Sequence, residues 1–305
     1  SDAMPYSLIN IIKALSNRRI GIMFLLGFSS GLPLALTGGT LQAWMTVEGV
    51  DLKTIGIFTL VGIPYTLKFL WSPLMDRFVP PFLGRRRGWI LLCQLFLMVL
   101  ILTMGLSSPK EAPFVVGFLA LILAFTSASQ DVVIDAYRAD ILREKERGFG
   151  VAVSVTGYRI AMLVSGAVAM ILAQNIGWRL TYLSMILFLT IGILGTLWGP
   201  EPEECVVPPK TLEQAVLGPL KEFFSRSEAW VLLFLIVFYK FGDAFAGSLT
   251  TAFLIRGAGF SVGEVGIINK GMGLAATILG ALVGGMLMTR LGLYRSLMFY
   301  GILQA

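Results

Sequence analysis

The segment Pro113-Phe-Val-Val-Gly-Phe-Leu-Ala-Leu-Ile-Leu-Ala-Phe-Thr-Ser-Ala-Ser-Gln-Asp-Val-Val-Ile-Asp-Ala136 runs uncharged from its proline to Gln130, and only then meets two carboxylates, Asp131 and Asp135. A helix rises 1.5 Å per residue, so Asp131 lies about 27 Å along it, most of the way across a hydrocarbon core of roughly 30 Å. In lipid the backbone must satisfy its own hydrogen bonds, which makes a helix the expected form. Ser127, Asp131, Asp135 and Arg138 recur at i, i+4, i+8 and i+11 and share one helical face. An ionised group near the bilayer centre costs about 2.5 to 3.5 kcal/mol on the insertion scale, so that face must look onto protein or water. The stretch predicts a membrane helix with a polar side.

The rest of the chain extends this reading. Its 305 residues are 56% hydrophobic and 14% charged, where a water-soluble domain carries about a quarter charged residues. That composition excludes a soluble enzyme, a secreted disulfide scaffold and a disordered tail. Ser1-Asp2-Ala3 ahead of Met4 reads as an expression remnant, and the residues after Met4 lack the short apolar core and small-residue cleavage site of a signal peptide. Apolar windows predict spans near Ile20–Met45, Thr54–Trp71, Gly88–Gly105, Pro113–Ala136, Phe149–Gln174, Thr181–Trp198, Ala229–Leu254 and Val262–Met288. A ninth run, Ser296–Ala305, is too short to cross, so the chain is expected to stop inside a helix.

The net charge of +6 does not indicate nucleic acid, because the cations sit in short loops between apolar segments. Sixteen lysines and arginines fall on one side of the predicted spans and four on the other, which predicts a cytoplasmic amino terminus. The chain has no histidine, so proton chemistry falls to carboxylates. Cys93 lies in an apolar run and Cys205 in a polar linker, and no disulfide is expected between them.

That linker, 199–228, divides the chain into an expected six-helix bundle, residues 1–198, and the start of a second bundle, residues 229–305. Thr211 and Gln214 form a candidate capping box ahead of an amphipathic stretch with Leu212, Val216, Leu220 and Phe224 on one face. Ile55-Gly56-Ile57 recurs as Val265-Gly266-Ile267, and the arginine loop after the second span has an echo at Thr289–Arg295. A parallel repeat of six-helix units, the pattern of a two-bundle carrier, is expected.

Seven ionisable groups fall within or near spans: Lys68, Asp131, Asp135, Arg159, Lys240, Asp243 and Lys270. Left unpaired they would cost on the order of 20 kcal/mol, so they must face one another or a wet interior. Asp131 is the stronger proton-carrying candidate; Asp135 and Arg138 also read as a cytoplasmic latch. Lys240 and Asp243, with Tyr239 beside them, are expected near mid-membrane, at a depth similar to Arg159. Lys68 and Lys270 sit off the midplane and are weaker candidates. In the polar first span Thr37 and Gln42 are candidate hydrogen-bonding groups for a polyhydroxylated solute, whereas the GxxxG spacings Gly27–Gly31 and Gly280–Gly284 read first as close helix packing. Trp44, Trp71, Trp89 and Trp178 fall at predicted span ends, as interfacial anchors do.

Five strings, Leu34–Thr46, Lys68–Arg77, Gly84–Trp89, Ala128–Ala136 and Lys210–Ala215, resemble the muropeptide permeases of the AmpG type within the major facilitator superfamily. The likeness runs from about residue 20 to the last residue. It implies a bacterial inner-membrane carrier that uses the proton gradient, with no other cofactor, to import anhydromuropeptides for peptidoglycan recycling, with a link to β-lactamase induction. It implies proton-coupling roles for Asp131, Asp135 and Asp243. Substrate contacts would come from Thr37, Gln42, Gln130, Arg159, Tyr239, Lys240 and Lys270, and a gating loop from Asp76, Arg77, Arg85, Arg86 and Arg87. Partners are the muropeptide, protons and membrane lipid, not nucleic acid. Ser72-Pro73 replaces the glycine usual in the superfamily's gating motif, and 79–83 widens its spacing. Family members carry at least four further helices.

Three alternatives remain open. A carrier of another anionic conjugate, such as acetyl-CoA or a siderophore, shares the Gly-Arg-Arg loop. An intramembrane aspartyl protease would use Gly242-Asp243, but Lys240 occupies the first glycine of that signature and the Tyr-Asp partner is missing. A sensor or structural bundle has no need of internal charges in both halves. No enzymatic activity is expected.

Overall fold

The computed structural model describes residues 17–202, 212–238 and 272–304, in two units that divide after Pro209. Tyr239, Lys240, Asp243, Lys270, Cys205 and Thr211 lie outside the described residues.

All regular structure among the described residues is helical. The first span comprises Arg18–Thr37 and Gly39–Val47, bent at Gly38. Three further unbroken helices cross the first unit: Gly84–Leu106, the third span; Pro113–Ile141, the fourth; and Trp178–Trp198, the sixth. The fifth span, Arg147–Ile176, is helical throughout but widens to a π turn at Val164–Val168. These five are long and apolar enough to cross a membrane. They begin or end up to about a turn and a half beyond the predicted limits, because arginines continue a helix into the headgroup region that a hydropathy window cuts off.

The second expected span is the correction. Instead of one helix over Thr54–Trp71 there are helical turns at Leu52–Ile57, Ile63–Leu67 and Ser72–Arg77, linked by tight 3-10 turns at Phe58–Gly62 and Lys68–Leu70. Gly56 and Gly62 are poor helix formers. Pro64 and Pro73 withhold the N–H groups that Leu60 and Phe69 would otherwise receive. The Ser72 hydroxyl takes the second vacancy, donating to the Phe69 carbonyl at 3.1 Å. This broken segment puts a 3-10 turn, and Lys68 with it, against the fourth span.

The first and fifth spans pack closest. A Cβ at Gly27 would collide with the Ser154 carbonyl, one at Gly31 with that of Tyr158, and one at Gly157 with that of Phe24. The glycines bring two backbones into contact, as small residues do where lipid supplies no hydrophobic drive. Trp44 is no interfacial anchor: it is buried, stacked on Trp178 at 6.0 Å and tilted against Tyr182 at 4.9 Å. Cys93 is a buried free thiol.

In the second unit an amphipathic helix, Leu212–Ser225, carries an Arg226–Glu222 pair at 3.1 Å. A described stretch of helix comes next at Ala229–Phe238. Helices Gly273–Leu291 and Leu293–Gln304 meet at Gly292, whose φ of 77° suits glycine, and Tyr300 donates to the Gly284 carbonyl at 2.5 Å. A Cβ at Gly280 would meet nothing within 4 Å among the described residues, so close packing is not seen there.

Candidate functional site

Asp131 is the most deeply buried acid of the polar face on the fourth span. The Ser30 hydroxyl of the first span donates to its Oδ1. Its other oxygen lies 3.9 Å from Lys68 Nζ. The same Lys68 nitrogen lies 3.9 Å from Asp135 Oδ2, and Asp135 Oδ1 takes a 2.7 Å bond from Arg138. Arg138 also donates to Ser154 on the fifth span at 3.4 Å. Lys68, Asp131, Asp135 and Arg138 thus form one chain of alternating charge drawn from the fourth span and the broken segment. Two carboxylates balance two cations, which is how a bilayer interior tolerates all four.

Beside this chain runs a neutral network. Gln130 is wholly buried; it accepts from Ser29 Oγ at 3.1 Å and donates to the Ser29 carbonyl at 3.0 Å. Gln94 donates to Ser29 Oγ at 3.1 Å and accepts from Thr196 at 2.8 Å. The network ties the first, third, fourth and sixth spans together. Thr37 is buried, and its hydroxyl turns back to the carbonyls of Pro33 and Leu34. Gln42 is half-buried. Arg159 is also half-buried, and its Nε has no hydrogen-bond partner among the described residues. Of the named site residues, then, Asp131 and Asp135 stand together with Lys68; Gln130 holds the scaffold beside them.

At the end of the unit where Arg138 lies, the arginine loop closes on its surroundings. Asp76 pairs with Arg85 at 3.1 Å and with Arg86 at 2.6 Å, and Arg86 reaches on to Asp140 at 2.9 Å. Arg87 donates to the Gly199 carbonyl and pairs with Glu201 at 3.3 Å. Arg77 stands apart, over the Phe78 ring at 5.6 Å. The wider spacing of this loop therefore still delivers Asp76 to two arginines. The roles of Ser30, Asp140 and Glu201 were not among the expectations from sequence. Ser30 is one of two adjacent hydroxyls in the first span, and nothing in the spacing tells that it, and not Ser29, meets Asp131.

The model of the Major Facilitator Superfamily matches residues 23–305. The chain belongs to the major facilitator superfamily. Among proteins similar to this major facilitator chain, the anhydromuropeptide permease of Escherichia coli K12 is 57% identical over 96% of the chain, and the chain spans 60% of that permease's length. An uncharacterized protein of Haemophilus influenzae is 40% identical over 94% of the chain, which covers 68% of it. A putative transporter, AmpG 4, of Rickettsia conorii is 33% identical over 97% of the chain, which covers 73% of it. The likeness noted in the five strings thus extends over nearly the whole chain. This is a multi-pass membrane protein of a transporter superfamily, all-α as expected, with the second span broken.

Proposed function

We propose that this protein is a proton-coupled importer of anhydromuropeptides, disaccharide-peptide fragments of the cell wall, from periplasm to cytoplasm for peptidoglycan recycling. It would sit in the bacterial inner membrane with its amino terminus cytoplasmic and residues 199–228 forming a cytoplasmic linker between two bundles. Through the pool of imported fragments it would bear on β-lactamase induction. The observation that carries the reading is the Ser30–Asp131–Lys68 arrangement, a buried carboxylate with a donor and a shared cation, in a chain 57% identical to a named anhydromuropeptide permease. A carboxylate in such a place gains or loses a proton at modest cost, since its counter-ion has a second partner within reach. Asp131 is proposed as the proton carrier, with Asp135 and Asp243 as coupled acids. Thr37, Gln42, Gln130, Arg159, Tyr239, Lys240 and Lys270 are proposed for the substrate, and Asp76, Arg77, Arg85, Arg86 and Arg87 for gating.

The test is uptake of a labelled anhydro-disaccharide tripeptide by the intact protein in liposomes, with and without an inward proton gradient. Gradient-dependent accumulation that Asp131→Asn abolishes, at an unchanged membrane level, is the expected result. Accumulation of acetyl-CoA in place of the muropeptide would transfer the mechanism to another anionic conjugate. Muropeptide uptake indifferent to the gradient would end the proton coupling.

A further inference from the structure

Lys68 is shared evenly: its ammonium stands 3.9 Å from Asp131 on one side and 3.9 Å from Asp135 on the other. The two acids differ in setting, with side chains 11% and 51% exposed. Asp135 in turn holds Arg138 at 2.7 Å. We infer that Lys68 is a positioning residue that relays the protonation of Asp131 to Arg138, freeing that guanidinium to bind a carboxylate of the substrate. The inference rests on the function proposed above and adds to it the order of events and the group that is recognised.

The argument is one of charge. Asp131 faces the Ser30 hydroxyl from the first span, Lys68 and Tyr65 from the broken segment, Cys93 from the third span and Tyr158 from the fifth. The hydroxyls and the thiol are neutral near pH 7. The charges that act on Asp131 itself are those of Lys68 and Asp135, whereas Arg159 acts on Tyr158. The local count is therefore Asp131 and Asp135 against Lys68 and Arg138, a sum of zero. When a proton from the outer side settles on an Asp131 oxygen, Lys68 loses one partner and keeps the other. Its full attraction falls on Asp135, in competition with Arg138. The cluster now carries one positive charge in a medium where an uncompensated charge is costly, and an anionic carboxylate entering as a fork on Arg138 restores neutrality. Loss of the proton to the cytoplasm returns Lys68 to Asp131 and Arg138 to Asp135, which expels the carboxylate. Proton and substrate then favour each other, as linkage demands of a symporter. Lys68 sits on a 3-10 turn between helix breaks, where a small backbone rotation moves its stem more readily than in a regular helix.

The experiment measures the half-saturation concentration for the labelled anhydro-disaccharide tripeptide between pH 5.5 and 7.5 in the intact protein. In the wild type it rises with pH. In Lys68→Gln it is raised about tenfold at the acid end, the worth of one charged contact, and no longer varies with pH. Lys68→Arg keeps the pH dependence. Asp131→Asn, read by equilibrium binding without a gradient, stays locked in the receptive state and binds at pH 7.5 as the wild type does at pH 5.5. A wild-type pH profile in Lys68→Gln, or weak alkaline binding by Asp131→Asn, overturns the relay. If Lys68→Gln fails to reach the membrane, the Asp131→Asn binding result decides alone. Wild type that handles no muropeptide at any pH overturns instead the substrate assignment on which the relay rests.

Discussion

Gln130 donates from Nε2 to the Ser29 carbonyl at 3.0 Å, and that oxygen is the one Pro33 leaves without its helical donor. The contact is reciprocal, since Ser29 Oγ returns a bond to Gln130 Oε1 at 3.1 Å. A carbonyl that a proline leaves open in the first span is thus satisfied from the fourth, as backbone groups freed in a membrane must be.

Gln130→Leu strips the donor from a buried carbonyl and an acceptor from a buried hydroxyl. We expect it to destabilise the protein by about 1 to 3 kcal/mol, seen as a lower Tm in detergent. Adding Pro33→Ala restores an N–H aimed at Ser29. The double variant is therefore expected to be more stable than the sum of the two single changes by about 1 kcal/mol. Strict additivity would show that Gln130 does not serve that oxygen.

The glycines of the first unit separate into two kinds. Gly27→Val pushes a side chain into the Ser154 backbone, which cannot give way as a flexible side chain does. Loss of about 3 kcal/mol or more, or failure to accumulate in the membrane, is expected. Gly62 has ordinary helical dihedrals, φ −74° and ψ −11°, and no atom of the described residues within 4 Å of a would-be Cβ. Gly62→Ala is expected within about 0.5 kcal/mol of wild type. Thermal unfolding of the two variants side by side checks both.

The same contrast shows what the sequence displays and what it withholds. Span positions come from hydropathy because lipid imposes one length and one secondary structure, and the Gly27–Gly31 spacing announces close packing. Residues 54–71 are apolar enough to be taken for a single span, yet Pro64 breaks them and Pro73 follows just beyond, and hydropathy is blind to a missing N–H. The Ser127, Asp131, Asp135, Arg138 stripe is legible because it needs only the helical repeat. That Lys68 should stand between two of its members depends on where a broken segment is carried in space. The Ser29-Ser30 pair and Gln94, a single polar group in an apolar run, are the nearest thing to a signal, and they name no partner.

Asp51 caps the first turn of the broken segment: its Oδ1 accepts from the Thr54 N–H at 2.9 Å and its Oδ2 from the Thr54 hydroxyl at 2.6 Å. The side-chain bond from Thr54 and then the backbone bond hold its carboxyl below the usual carboxylate range. A depressed value in the folded state means that the cap contributes stability above the ordinary carboxylate value of about 4 and loses it as pH falls through the lowered one. The protection of the Thr54 and Ile55 amides, taken relative to the intrinsic exchange rate at each pH, is accordingly expected to fall on acidification below that value. In Asp51→Ala it is low at every pH. An acid-insensitive wild type would remove Asp51 from the cap.

Four contacts fasten the start of the linker to the helix ends. Arg18 donates to the Trp198 carbonyl at 2.8 Å, Arg87 to that of Gly199, Tyr137 to that of Pro200 at 2.6 Å, and Arg87 pairs with Glu201 at 3.3 Å. Their worth is unequal. The Arg87 side chain is 11% exposed and Glu201 59%, so the ion pair is screened, whereas the bonds from Arg87 and Tyr137 satisfy carbonyls of a segment that has left its helix. Glu201→Gln is therefore expected to cost less than about 1 kcal/mol. Arg87→Met is expected to cost about 1.5 to 3 kcal/mol, and Tyr137→Phe about 1. The linker itself reports the difference, because trypsin cleaves after Lys210. Cleavage there should quicken most in Arg87→Met, less in Tyr137→Phe and hardly at all in Glu201→Gln, since local opening and not net charge admits the protease. Faster cleavage in Glu201→Gln than in Arg87→Met would reverse the ranking and make the ion pair, not the carbonyl bonds, the fastening.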